Sequence, residues 1–153
     1  MGSEAGRALV AGAATLVAAL AVLTWQTLRI PGHAPHRVVA ELRLAQAAAV
    51  LLAFSAAFLA GLGASAPGPA AALDMASAVL MAGVALMTLV RDPRAALAWI
   101  AAAFLGCAVL DLAHLLAWLP MVAADAVLAG GLVANLCAAT CCVLPLLRTP
   151  TPR

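Results

Sequence analysis

The sequence predicts an all-α membrane protein, an integral bundle of five transmembrane helices with the N-terminus outside and the C-terminus inside. Three observations carry that prediction. Of the 153 residues, 67% are hydrophobic and only 9% charged, whereas roughly a quarter are charged in an ordinary globular domain. The apolar residues fall into runs of helix length, separated by short stretches holding most of the Pro and Arg. Ala and Leu dominate these runs while aromatic residues are sparse, which suits helices rather than a barrel with its alternating strands and aromatic girdles.

Residues 1–153 therefore read as one transmembrane domain. The first span covers about 8–28, long enough for the roughly 30 Å hydrocarbon core at about 1.5 Å per residue. Arg7 precedes it as in a signal peptide, but the apolar run exceeds the usual 7–15 residues and no small-x-small site follows directly, so an uncleaved span is expected. Residues 29–43, RIPGHAPHRVVAELR, form a polar, basic loop broken by two prolines and a glycine. A second span covers about 44–62, followed by the uncharged turn GLGASAPGPA, and a third covers about 71–90. Asp92 is placed to cap the fourth span, about 95–119, with Pro93 in its first turn. Pro120 closes that span, and a fifth covers about 122–147 before the tail TPTPR.

Arginine sets the orientation, because loops rich in Lys and Arg stay in the cytoplasm. Arg29, Arg37 and Arg43 lie in the first loop, Arg91 and Arg94 in the third, and Arg148 and Arg153 in the tail, while the second and fourth loops have none. Only the N-out, C-in arrangement satisfies that alternation, with Arg7 the exception. Trp25 and Trp99 then fall near the inner interface and Trp118 near the outer one, as an aromatic belt requires. The chain reads as a multi-pass protein of the inner (plasma) membrane. Dispersed arginines do not form a nucleic-acid surface, and each contributes around 1 kcal/mol against anionic headgroups. Dense Ala and Gly allow close helix packing and self-association, or a protein partner in the membrane.

The fourth span, AALAWIAAAFLGCAVLDLAHLLAWL, carries Cys107, Asp111 and His114 on one face, at offsets of four and seven. By depth, Asp111 and the early residues Asp74 and Asp125 of the third and fifth spans fall in one slab beneath the outer surface. Carboxylates in the core cost roughly 2.5–3.5 kcal/mol each on insertion scales, so these should converge on the bundle interior. Asp74, Asp111, His114 and Asp125 are thus the expected site for a cation, a proton or a small ligand, and carboxylate with imidazole suits a divalent metal. Asp74 and Asp125 read equally well as residues placed favourably against helix N-termini.

The segment LGCAVLDLAHLLAWLP, after a short basic loop, resembles the aspartate-two-residues-histidine segment of the membrane-associated sensor domains that precede histidine kinases and diguanylate cyclases. The resemblance covers about thirty residues. It implies a sensory role for Asp111 and His114 near the outer end of a helix, with the output on a partner.

Cys107, Cys137, Cys141 and Cys142 all lie in apolar runs and read first as small buried hydrophobes. Cys137, Cys141 and Cys142 also form a candidate soft-metal set for Cu(I) or Hg(II), and TCCVLP is similar to the paired cysteines of mercuric-ion transport proteins. His33 and His36 flank a proline in the first loop. Without a second intramembrane histidine beside His114, haem ligation within the bundle is not predicted. No phosphate loop, zinc-finger spacing or HExxH is present, so a non-catalytic sensor-like or accessory protein is expected. A structural subunit of a larger complex and a small metal-ion or solute transporter are the alternatives. For transport, only Gln46, Asn135 and the thiols supply polarity to the inner half.

Overall fold

The computed structural model describes residues 3–32, 34–65, 68–119 and 125–148. These form five helices, α1 (Ser3–Arg29), α2 (His36–Ser65), α3 (Pro69–Met87), α4 (Pro93–Leu115) and α5 (Asp125–Leu147). There is no strand among the described residues. Among the described residues four stretches are long and apolar enough to cross a membrane: Gly6–Arg29, His36–Ala64, Pro93–Leu115 and Asp125–Leu147. They suit a multi-pass membrane protein with its apolar helices against lipid.

The apolar part of α3 is shorter, Ala71–Met87, and reaches about 26 Å at 1.5 Å per residue. The span expected to continue to residue 90 stops because Thr88, Leu89 and Val90 donate to carbonyls three residues back, at 3.1–3.4 Å. α4 likewise ends before the expected residue 119. Trp118 N donates to Ala113 O and Ala117 N to His114 O, both at 3.0 Å, the paired bonds of a Schellman cap. Ala117 takes the left-handed position at φ 55, where glycine is usual, so nothing in the composition marks this stop. The start of α4 matches expectation, with Ala95 N donating to Asp92 Oδ1 at 3.0 Å. α5 begins at Asp125, and the expected residues 122–124 lie outside the described residues.

The largest departure is α2, which starts at His36 rather than near residue 44. Its first two turns were expected as loop. Instead Arg37 and Glu41, four apart on one face, pair at 2.9 Å, and Arg37 Nη1 donates to Ile30 O at 2.9 Å. Both side chains are buried. Only the stretch around Pro31, Gly32 and Pro35 breaks the chain.

α4 packs most extensively on α5 and α2 on α3, with α1 laid against α5 and α2. Leu44, Leu52, Leu97, Ile100 and Phe104 fill the centre, surrounded by alanines such as Ala48, Ala96 and Ala138. The small side chains let the backbones approach closely, which is how helices gain contact in lipid. Gly63 makes one such approach: a Cβ there would lie 2.8 Å from Met75 Cγ and 3.0 Å from Ala71 O on α3.

α1 and α5 run parallel in a constant register. Gly6 meets Val127 and Gly130 meets Val10, while Thr24 meets Cys141 and Arg148 meets Leu28. Pro145 sits inside α5 and has no N–H for the carbonyl of Cys141, four residues back. Thr24 Oγ1 donates to that carbonyl at 3.2 Å, and Thr24 is buried. Thr24→Val is expected to lower stability by about 1–3 kcal/mol by leaving a buried acceptor unmet, while Thr27→Val, which loses a bond only within α1, should cost less. Unfolding in graded SDS compares the two.

Arginines close the other helix ends. Arg94 Nη2 donates to Pro145 O at 3.2 Å and Arg148 O at 3.1 Å, and Arg148 Nη1 to Leu28 O. Exposed last-turn carbonyls attract cations, so the arginine-rich stretches cap helices as well as carrying charge. The opposite, acidic end of the bundle holds Asp74, Asp111, His114 and Asp125.

Candidate ligand cavity at the acidic end

α4 presents Asp111 and His114 one turn apart, and the structure sends them to different neighbours. His114 Nε2 lies 3.4 Å from Asp74 Oδ1 on α3, and both residues are buried, at 2% and 0% exposure. Each gives the other a polar neighbour, which buried polar groups need. Asp74 Oδ2 is buried with no hydrogen-bond partner among the described residues.

Asp111 turns the other way, toward α5, where Asn135 Nδ2 donates to its Oδ2 at 2.8 Å. The carboxylate rests on Gly131, where a Cβ would stand 3.0 Å from Oδ2 and 3.4 Å from Cγ. A bare backbone at 131 thus makes the seat for Asp111. Beside it opens a cavity of about 570 Å³ between α1, α2, α4 and α5. Leu16, Phe54, Phe58, Phe104 and Leu128 line much of its wall, and Asp111, His114, Asn135 and Ser55 supply polar groups. Among the described residues no arginine lines that wall.

Of the expected site residues, Asp74 and His114 come together, Asp111 lies one turn from His114 but faces α5, and Asp125 stands apart. Asp125 is exposed on the first turn of α5. Asn135 is the residue level with Asp111, and Asp125 stands ten residues earlier, roughly 15 Å of helix rise away. Counting depth from the ends of apolar runs misses this offset, because α5 extends past the end of α4. The same offset moves Asn135 from the inner half, where its depth had put it, to the side of Asp111. Sequence reasoning missed Asn135, Ser55 and Gly131 as site residues. An asparagine in an apolar span is a detectable signal, but a glycine chosen for what it faces is not.

Among the described residues no group of three or more His, Cys, Asp or Glu side chains is arranged to hold a metal ion. This applies to the divalent set Asp74, Asp111, His114 and Asp125 and to the soft set Cys137, Cys141 and Cys142. All four cysteines are free, with Cys137 exposed and Cys141 and Cys142 buried. Cys107 Sγ donates to Met81 Sδ at 3.3 Å, a packing contact between α4 and α3 of the kind sulfur makes in apolar cores. His36 is the exposed first residue of α2, and His33 lies outside the described residues. Comparison of the chain with models of protein families, with curated proteins and with solved structures finds no match.

Proposed function

We propose that this protein is a non-catalytic, sensor-like or accessory module of the inner membrane, oriented N-terminus out and C-terminus in, that binds an amphiphilic small molecule bearing an amine. The observation that carries this reading is Asp111 on the wall of a largely apolar cavity of about 570 Å³. Apolar pockets of some 300–1,000 Å³ with a few convergent polar groups are the usual form of a small-molecule site. The chemistry of the occupant follows from the wall. His114 already has Asp74 beside it, and Asn135 is the one hydrogen-bond donor to Asp111 among the described residues. An alkyl chain would lie along the leucines and phenylalanines while an ammonium group meets the Asp111 carboxylate, a charge-assisted contact in a medium of low dielectric.

The orientation rests on the arginines crowding one end of the bundle, the end that stays in the cytoplasm. The cavity then belongs to the outer half, where a module reporting on its surroundings would receive its ligand. Sensing requires a partner to carry the output, and α3 offers an exposed apolar face at Val79, Leu80 and Leu86.

Titration of the purified protein in an uncharged detergent with decylamine, decanol and decanoate tests the reading. Saturable binding of the amine is expected, weakened about tenfold or more in Asp111→Asn through loss of a charged hydrogen bond, with decanoate rejected. Equal binding of all three, indifferent to Asp111→Asn, would reduce the cavity to a greasy gap.

A further inference from the structure

The arginine-rich end holds a second, chemically opposite pocket, of about 300 Å³, lined by Arg29, Arg37 and Arg148 together with Leu28, Ile30 and Leu147. Three guanidinium groups around one space repel each other unless something negative joins them. Of the carboxylates at this end, Glu41 serves Arg37 without lining the pocket and Asp92 is committed elsewhere, so Arg29 and Arg148 are left to whatever enters the space. Glu41 Oε1 takes Arg37 Nε at 2.9 Å and its Oε2 lies 3.9 Å from Arg94, and Asp92 caps α4. Arg29 lies over the Trp25 ring, 4.8 Å from its centroid, and Arg148 is held by the Leu28 carbonyl. Neither has a carboxylate partner among the described residues.

Arg37 supplies the second observation. It is only 5% exposed, its Nε and Nη1 are used by Glu41 and Ile30, and its Nη2 is buried with no hydrogen-bond partner among the described residues. A buried guanidinium donor left without an acceptor is costly. An oxyanion in the pocket would lie against this guanidinium, and the planar fork of arginine suits phosphate oxygens two at a time.

We infer that the pocket formed by Arg29, Arg37 and Arg148 binds a phosphate group, carried by a lipid headgroup or by a free phosphate. Leu28, Ile30 and Leu147 form an apolar margin beside the charges, and basic pockets between membrane helices hold anionic headgroups on the cytoplasmic side. The inference is independent of the amine cavity, which lies at the other end of the bundle.

The test uses the full chain in uncharged detergent, as wild type and as Arg29→Gln, Arg148→Gln and Arg43→Gln. Arg43 is exposed on α2 and absent from the pocket wall, so it reports general surface charge. Arg37 is left intact because it also holds Ile30 and Glu41. Each protein is titrated with inorganic phosphate, with micelles carrying phosphatidic acid, and with micelles carrying uncharged diacylglycerol. Saturable binding of a phosphate probe is expected, about tenfold weaker in Arg29→Gln or Arg148→Gln and unchanged in Arg43→Gln. Circular dichroism verifies that each variant is folded, and Arg29→Gln disturbs no helix-capping bond. Tighter binding of phosphatidic acid assigns the site to a lipid, and tighter binding of inorganic phosphate to a soluble phosphate. Absence of saturable binding by both, equal uptake of diacylglycerol, or an equal loss in Arg43→Gln overturns the inference.

Discussion

Replacing His114 by Leu is expected to destabilise the bundle by about 1–3 kcal/mol, the cost of leaving a buried polar group without its partner. Asp74 is fully buried. Its Oδ1 has His114 at 3.4 Å, and its Oδ2 has no partner among the described residues. Without the imidazole, the buried carboxyl keeps no polar partner among the described residues unless it draws water between α3 and α4, and both cost free energy. Asp74→Leu should cost less, because it removes the carboxyl whose Oδ2 has no hydrogen-bond partner among the described residues. The double variant Asp74→Leu, His114→Leu should recover most of the loss, since replacing both members of such a pair by apolar groups is often close to neutral. Unfolding of the four proteins in graded SDS closes a double-mutant cycle. A loss below about 1 kcal/mol for His114→Leu, near the 0.6 kcal/mol average for hydrogen bonds between membrane helices, would show that the pair is not a principal tie between α3 and α4.

The second large effect is expected at Gly131. A Cβ there already falls 3.0 Å from Asp111 Oδ2, and the branched side chain of Gly131→Val would push the carboxylate off α5 and away from Asn135. Overpacking of this kind costs about 1–3 kcal/mol, and the propensity gained over glycine in a helix is smaller, below about 1 kcal/mol. Gly130→Val is the informative comparison, because a Cβ at Gly130 meets Val10 of α1 at 2.8 Å rather than Asp111. Both variants should lose stability and both border the cavity, but Gly131→Val should lose more decylamine binding because it alone displaces Asp111. Equal effects of the two on binding would mean that the cavity responds to helix spacing and not to the position of Asp111.

The candidate site was legible in part. Asp111 and His114 stood out because ionisable residues are rare in apolar runs, and their spacing on one helix face needed nothing beyond 100° per residue. Asp74 read equally as a helix-end residue, and only its contact with His114 separates the two roles. Asp125 failed for a related reason. Depth counted along each run assumes that all helices begin at the same level, and α5 overshoots α4 by several residues. Arg37 and Glu41 read as loop because the stretch is polar, yet their i, i+4 spacing supports a helix once the Ile30 carbonyl and the neighbouring helices enclose them.

Composition and punctuation alone fix the membrane-compatible character of the chain and its helical elements. Such apolarity in helix-length runs leaves backbone groups no partners except those within the same helix, so five helices follow from composition and punctuation alone. The tertiary structure decided which polar groups meet. In lipid the hydrophobic effect does not distinguish one apolar helix face from another, so the registers rest on local fits: Gly131 under Asp111, Gly130 beside Val10, Thr24 on the carbonyl that Pro145 leaves open. Those contacts join residues far apart in the chain, and the amine cavity and the arginine pocket exist only once they are made.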